Sequence, residues 1–195
     1  MMLNVALKEW DLVIRELLAG RQAILLRKGG ILESVNEFEL EHPRFLFFPT
    51  YIHQDPRMVK PEKRGEIRMT GGVPGVTAEP AEVEIPGYGE AARIFEVPGR
   101  EAMDALRDLH VWDEPLIDLR FSYRAEKPLY LVVVRAFAWG DNGATPPRIA
   151  NTPAYAGCKS WVPLEQEIAI AGARPVLPDD RLRAIITRIA RTFEQ

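Results

Sequence analysis

Polar side chains that can bind an anion or transfer a proton are concentrated between residues 27 and 54. The segment begins at Arg27 and Lys28, which directly precede two glycines, and it ends at His53 and Gln54. A basic pair attracts an anion, and glycines let backbone N–H groups approach it closely. This turn is therefore either an anion site or a plain charged turn, because it lacks the spacing of known phosphate-binding motifs.

The same segment contains two histidines, with a threonine between them. His42 and His53 are eleven residues apart, and Thr50 directly follows Pro49. An imidazole can act as an acid or base near neutral pH, or donate a hydrogen bond to a phosphate or a base edge. The alternative is that both histidines satisfy buried strand ends. Their spacing does not fit a metal pair on one helix, so no metal site is predicted.

A second candidate segment lies late in the chain, where Cys158, Lys159 and Trp161 follow one another closely. An aromatic ring beside a lysine can stack a nucleobase or hold an apolar ligand. Trp161 could equally anchor a strand in the core, with Cys158 packing as a small apolar residue. The candidate ligand-binding residues are therefore Arg27, Lys28, His42, Thr50, His53, Gln54, Lys159 and Trp161.

Charge and composition limit the classes of function. The 195 residues carry a formal charge of -3 with a pI near 5.7, so binding of a polyanion requires a local basic patch. Residues 20–70 favour such a patch, because they contain nine basic and seven acidic residues. Residues 79–126 do not, because they contain five basic and twelve acidic residues. A single cysteine excludes an internal disulfide, and we expect a cytoplasmic protein without signal peptide, membrane span or cofactor.

The hydrophobic pattern predicts several elements in the first half of the chain. Leu7 to Leu18 follows helical spacing, with Asn4 as N-cap and Gly20 after the end. Strands are predicted over residues 23–26, 37–42 and 44–48, with Pro49 ending the last of them. If these strands pair, they bring the Arg27-Lys28 turn and the residues after Pro49 to one rim. A long loop follows over residues 51–80, with one helical turn near residues 56–60.

The second half is predicted from the same kinds of signal. Residues 83–85 and 92–96 flank Pro86 to Glu90 as a hairpin, and residues 103–110 follow helical spacing. Leu116 to Tyr123 alternates as a half-buried strand, with a turn at residues 126–128 before a central strand over residues 129–139. Residues 141–159 are predicted as a loop, and a short strand follows at residues 160–164. The chain then ends in an amphipathic helix that begins near Asp179.

These elements predict one α+β domain over residues 1–195 with six or seven strands. The sheet is expected to be mixed and mostly antiparallel, or to form a small barrel, with the N-terminal and C-terminal helices packed on it. The sequence contains no internal repeat and no linker between two cores, and it leaves the oligomeric state open.

Several stretches together resemble a family catalogued as domain of unknown function 1802. They are ALKEW at residues 6–10, the following helix, Gly20-x-Gln22, LLRKGGI, His42, F-x-F-F-P-T-Y and the final His53-Gln54. The resemblance covers essentially the whole chain and supplies no agreed catalytic residues. Some members of this bacterial and archaeal family occur beside restriction-endonuclease-like domains, which implies a link with restriction-modification systems.

A fainter resemblance concerns the fold. A helix followed by Gly20-x-Gln22-x-x-Leu25-x-Arg27 is similar to the G-x-K-x-x-E-x-R signature of ASCH domains, which are small barrels of the PUA-like type. Gln22 stands where lysine is usual and Leu25 where glutamate is usual. The resemblance therefore implies topology and no catalytic residue.

Two hypotheses about function follow, with a third as an alternative to both. The first is an accessory protein that binds nucleic acid or a nucleotide around a phosphate or an unstacked base. The second is an enzyme acting on a phosphorylated small molecule or nucleotide, with His42 or His53 as acid or base and Lys28 stabilising negative charge. A plain protein-interaction module would instead show an exposed apolar patch and no polar pocket.

Overall fold

A computed structural model of the protein describes residues 1–28, 42–68, 79–139, 145–157 and 159–194. Nine strands lie in these ranges: β1 Met2–Trp10, β2 Ile24–Arg27, β3 Arg44–Thr50, β4 Glu82–Glu84, β5 Gly87–Glu96, β6 Tyr130–Trp139, β7 Arg148–Ala150, β8 Trp161–Ala169 and β9 Ala173–Pro175. The same ranges contain four α-helices: α1 Asp11–Leu18, α2 Arg100–Ala105, α3 Glu114–Ser122 and α4 Asp179–Phe193. Short 3₁₀ segments lie at Pro56–Met58, Pro61–Glu66, Arg107–Leu109 and Pro153–Tyr155.

Seven of these strands form one mixed, mostly antiparallel sheet, as the sequence predicts. The strand order is β2-β6-β5-β3-β1-β8, and β9 pairs with β6 beside this path. Only β1 and β3 run parallel among the pairs of this sheet that the described residues form. The strands at the two ends of the order, β2 and β8, do not pair with each other in the described ranges, so the sheet stays open. β4 and β7 form a separate pair.

Strand β3 shows how the sheet separates two apolar clusters. Phe45 and Phe47 enter the cluster that also contains residues of all four helices, and Leu46 and Phe48 enter the cluster under β4 and β7. Successive side chains of a strand point to opposite faces, so a strand buried on both faces is apolar at every position. β1 follows the same rule, with Leu7 in the first cluster and Ala6 in the second.

The predicted strands at residues 23–26 and 129–139 are confirmed as β2 and β6, and the C-terminal helix is confirmed as α4. The helical turn near residue 56 and the helix at residues 103–110 are confirmed in shorter form. Strand 44–48 is confirmed, although Pro49 does not end it, because Thr50 still pairs with Trp10 of β1. The predicted strand at residues 37–42 lies almost wholly outside the described residues.

The prediction of a helix from Leu7 was wrong. Residues 2–10 form β1, which pairs with β3 and β8, and the helix begins only at Asp11. Leu7 and Trp10 fit both a helical and an extended pattern, and pairing with two strands selects the extended one. The predicted pairing of the first strands is not seen in the described residues, where β2 pairs with β6 and β3 pairs with β1 and β5, and the segment 37–42 lies almost wholly outside them.

The strand predicted over Leu116 to Tyr123 is instead α3. The Asp113 side chain accepts a hydrogen bond from the Glu114 N–H, and Pro115 lies in the first turn. Both are typical of a helix start, and they prevail over the alternation of apolar residues. The hairpin turn predicted at residues 126–128 was therefore wrong as well.

The hairpin predicted around Pro86 to Glu90 was also wrong, because β5 begins at Gly87 and β4 pairs with β7. The glycines serve close packing here. A Cβ atom at Gly87 would overlap the carbonyl oxygen of Phe137 and lie 2.7 Å from Leu18 Cδ2. A Cβ atom at Gly89 would lie 2.7 Å from Val134 Cγ1.

The last corrections concern the C-terminal third. The predicted loop at residues 141–159 contains β7, the predicted short strand extends to Ala169 as β8, and β9 was not predicted. None of the helices in the described ranges is both long and apolar enough to cross a bilayer.

Among the described residues, His110 is the one buried histidine. It follows the 3₁₀ segment Arg107–Leu109 and stacks on Trp112 with ring centroids 5.2 Å apart. Burial, followed by the positive charge of Lys60, lowers the pKa of His110 to about 4. The folded protein therefore holds this imidazole neutral.

This neutral imidazole makes stability depend on pH. In the unfolded chain the pKa of His110 returns to its ordinary value of 6.5, so stability is complete above that pH and falls as pH drops toward 4. We expect the His110→Leu variant to lack this loss, which amounts to about 3 kcal/mol. Urea unfolding of both proteins between about pH 7 and pH 4 measures it. Equal losses in both would contradict the assignment.

Candidate functional site

A buried ion pair lies at the carboxyl end of β1. The Nη2 atom of Arg27 is 2.7 Å from Glu9 Oε2 and also donates to the backbone carbonyl of Lys8 at 3.2 Å. The two side chains are only 10% and 9% exposed. Glu9 also accepts from the Trp10 N–H at 2.8 Å. The pair therefore fixes the last residues of β1 against the last residue of β2.

This contact requires strong curvature of the sheet. In the strand order, β6, β5 and β3 lie between β2 and β1. In a flat sheet, four strand spacings amount to about 19 Å, which is farther than the two side chains can span. The sheet therefore curls until its β2 end approaches β1, and the ion pair bridges the opening.

A cleft of about 810 Å³ opens above this ion pair. Its walls come from the end of β1, the residues after β3, helix α3 and residues 151–157, 159 and 160. Because β1 and β3 run parallel, their carboxyl ends lie side by side at one edge of the sheet. The cleft thus combines residues from distant parts of the chain.

Glu79 shapes one wall of the cleft. Its carboxylate accepts a hydrogen bond from the Thr50 hydroxyl and from the backbone N–H groups of Tyr51 at 3.2 Å and Ile52 at 3.3 Å. These bonds turn the chain away from the end of β3. The negative charge of Glu79 is therefore used within the protein.

Lys8 holds the opposite wall. Its Nζ donates to the carbonyl oxygens of Tyr155 and, at 3.2 Å, Gly157, and it lies 5.4 Å from the centre of the Phe48 ring. The Tyr155 hydroxyl accepts from the Glu165 N–H of β8 at 2.9 Å. The segment 153–157 is thereby attached to both β1 and β8.

Basic groups outnumber acidic ones among the described residues that line the cleft. The cleft contains two carboxylates, Glu9 and Glu79, and four basic side chains, Lys8, Arg27, Arg120 and Lys159. Within the described ranges, the side chains of Arg120 and Lys159 have no hydrogen bond or ion pair. Burial lowers the pKa of Arg27, the charge of Glu9 opposes this effect, and the nearby charge of Arg120 adds to it. Arg27 therefore lies near both the opposite charge of Glu9 and the like charge of Arg120.

Four of the eight residues singled out in the sequence line this cleft. They are Arg27, Thr50, His53 and Lys159. His53 is exposed at the rim and has a left-handed backbone, with φ of 68°. The glycines that follow Lys28 lie outside the described residues, so their part in an anion site stays a prediction.

The other four residues make contacts elsewhere. Lys28 Nζ donates to the carbonyl of Phe121 at 2.8 Å, at the end of α3. Gln54 is buried, where it accepts from the Leu12 N–H and donates to the Arg68 carbonyl. His42 and Trp161 contact each other edge to face, with ring centroids 5.1 Å apart. His42 lines a different groove from His53, so the two histidines do not meet.

Sequence reasoning missed several cleft residues. Lys8, Glu9 and Trp10 were assigned to a helix, and Arg120 to a strand in the acidic part of the chain. The available signal was the Lys8-Glu9 pair directly after the apolar Ala6-Leu7, because charges that adjoin a buried segment need partners. No signal in the sequence indicates that Arg120 lies near Arg27.

The described residues contain no group of three or more histidine, cysteine, aspartate or glutamate side chains that could hold a metal ion. The cleft instead offers ammonium and guanidinium donors beside an apolar surface made by the partly exposed Trp10 and Ile52. Such a combination suits an anionic ligand that also has an apolar or aromatic part.

Comparison with known proteins gives a family and a distant structural likeness. The model of a family described as domain of unknown function (DUF1802) matches residues 6–188. No curated protein matches the chain. The crystal structure of ASCH from Zymomonas mobilis is 10% identical with a TM-score of 0.40, over 76% of this chain and 87% of that chain. The crystal structure of a mutant of the same ASCH protein is 8% identical with a TM-score of 0.38, over 76% of this chain and 88% of that chain.

The ion pair yields a prediction about stability. We expect Glu9→Leu to destabilise the fold by about 3–5 kcal/mol, because Arg27 is then buried without its partner. The double variant with Glu9→Leu and Arg27→Met should regain most of this loss, since no buried charge is left. Urea unfolding measures both changes. A double variant as unstable as Glu9→Leu would contradict the account.

Proposed function

The chain belongs to the DUF1802 family, a domain of unknown function, and we propose from its geometry that the cleft binds a nucleotide unit. Arg27, Arg120 and Lys159 hold the phosphate, and the base lies against the apolar surface around Trp10. In this role the protein is a binding protein for nucleotides or nucleic acid.

The excess of positive charge in the cleft supports this proposal most directly. All side-chain hydrogen bonds that Arg27 makes within the described residues come from Nη2, and the shorter of them goes to Glu9. Arg120 and Lys159 keep their donors free within the same ranges. A phosphate would accept several charge-assisted hydrogen bonds here and relieve the repulsion between the two arginines.

The size and lining of the cleft fit the same class of ligand. A volume of about 810 Å³ lies within the range of small-molecule and cofactor sites, about 300–1,000 Å³. Trp10 and Ile52, which are both partly exposed, give an apolar surface beside the basic groups. An inorganic anion would use only the basic groups, whereas a nucleotide also uses the apolar surface.

The overall charge of -3 does not oppose this function. Exposed charges farther away than a Debye length, about 8 Å at physiological ionic strength, are largely screened. The local excess in the cleft therefore decides the sign of the field that a bound phosphate experiences. Binding should weaken as salt is added.

We expect Arg120→Ala and Lys159→Ala each to weaken binding of thymidine monophosphate about tenfold or more, because a charge-assisted hydrogen bond is lost. Isothermal titration calorimetry at low salt measures the affinities. Arg181→Ala is the matched control, since Arg181 is exposed on α4 and does not line the cleft. Loss of affinity in the control alone, or no binding by the unaltered protein, would contradict the proposal.

His53 favours a second candidate function, an enzyme that acts on a phosphorylated small molecule or nucleotide. A non-glycine residue with φ of 68° at the rim of a cleft is the kind of backbone strain that is concentrated at functional sites. The exposed imidazole could give or take a proton at the bound phosphate. His42 lines another groove and has no place in this mechanism.

The enzyme hypothesis is tested by turnover. If His53 is the acid or base, His53→Asn should lower the hydrolysis of nucleotides and phosphomonoesters about a hundredfold or more and leave nucleotide affinity unchanged. Asparagine is the suitable replacement because it tolerates a left-handed backbone. Equal rates in the variant and the unaltered protein would reject the enzyme and leave the binding protein.

A further inference from the structure

We propose that the ligand of the cleft is one nucleotide of a single-stranded nucleic acid, and that the strand continues over the end of α3. There Tyr123 stacks the neighbouring base and Arg124 contacts the neighbouring phosphate. This inference rests on the proposed function of the cleft, and it names which form of nucleotide the cleft receives.

Helix α3 connects the cleft to this second surface. Arg120 lines the cleft, and Tyr123 follows it by three residues at the carboxyl end of the helix. Residues three apart lie on the same side of a helix and are separated by about 4.5 Å along its axis. A chain that leaves the cleft past Arg120 therefore meets Tyr123 next.

Tyr123 and Arg124 form an exposed platform. Tyr123 is 51% exposed, which makes it one of the few large apolar side chains of the described residues that face solvent. The guanidinium of Arg124 lies 5.3 Å from the centre of the Tyr123 ring. Arg124 has φ of 48°, an uncommon conformation for a residue other than glycine. The backbone thus holds a guanidinium over an aromatic ring that solvent reaches.

The charges around the end of α3 continue the charge of the cleft. Arg120 lies in the last turn of α3 and Arg124 follows the end of the helix, while Lys28 Nζ contacts the Phe121 carbonyl within the last turn. Lys127 follows, and Glu126 is the one acidic residue between Leu119 and Pro128. A basic surface with exposed aromatic rings is what single strands require, since every base can stack and every linkage carries a phosphate.

The platform distinguishes a strand from other sources of the same chemistry. A free nucleotide has no second base to place on Tyr123. A duplex keeps the faces of its bases covered by their neighbours. A single strand offers an unstacked base to the cleft and another to the platform at the same time.

The test compares thymidine monophosphate with a fluorescent oligothymidylate of about 12 nucleotides. We expect the oligonucleotide to bind more tightly than the monophosphate. Tyr123→Ala should weaken oligonucleotide binding about tenfold, Tyr123→Phe should retain it, and neither should change the affinity for the monophosphate. Fluorescence anisotropy for the oligonucleotide and calorimetry for the monophosphate give these affinities.

A salt series tests Arg124 separately. Removal of one phosphate contact should reduce the slope of log affinity against log salt by about 0.7 for a single strand. Arg124→Ala should show this change. Arg93→Ala is the matched control, because Arg93 lies 5.8 Å from the Phe95 ring on β5 and should leave the slope unchanged.

The possible failures are distinguishable. If the monophosphate binds but Tyr123→Ala leaves oligonucleotide affinity unchanged, the path over α3 is wrong and the cleft proposal stands. If a duplex of the same length binds as tightly as the single strand, the path is also wrong. If neither the monophosphate nor the oligonucleotide binds, both proposals fail.

Discussion

The buried ion pair between Glu9 and Arg27 is the contact on which the shape of this protein depends. It joins β1 to β2 across an opening that no backbone hydrogen bonds of the described residues close. Removal of two charges from water is costly, and the additional bonds to the Lys8 carbonyl and the Trp10 N–H offset part of this cost. The curvature of the sheet and the floor of the cleft are thus determined by the same two side chains.

The electrostatic character of the cleft follows from how its two carboxylates are used. Glu9 is directed at Arg27, and Glu79 accepts from Thr50 and the two backbone amides that follow it. Neither is left to neutralise Arg120 or Lys159. A protein with net negative charge can in this way keep a local surface that attracts anions.

Elements with a strong local pattern could be predicted from the sequence. The valine-rich segment 130–139 and the apolar stripe of α4 each have a single interpretation. The N-terminal strand and α3 could not, because their apolar residues fit two periods. Leu116 and Ile117 of α3 are buried while Leu119 is exposed, so this helix has no continuous apolar stripe. Only its cap, Asp113 followed by Pro115, indicated a helix.

The candidate site was predictable in its residue types more than in its geometry. Arg27 and Thr50 are the last residues of β2 and β3, and His53 follows β3 by three residues, so a correct prediction of the strands places all three near strand ends. His42 follows the same rule yet lines another groove, because its position depends on which strands are neighbours. Arg120 reaches the cleft because α3 packs on the sheet through Leu116 and Ile117, a long-range contact that one sequence does not reveal.

The close packing of β5 against β6 has a consequence for the width of the cleft. Gly87 lets these two strands approach so closely that even a methyl group would collide with the Phe137 carbonyl oxygen. β6 pairs with β2, and Arg27 is the last residue of β2. Any side chain at Gly87 would therefore force β5 and β6 apart at this point. The position of Arg27 in the cleft is thus linked, through β6 and β2, to a residue that does not line the cleft.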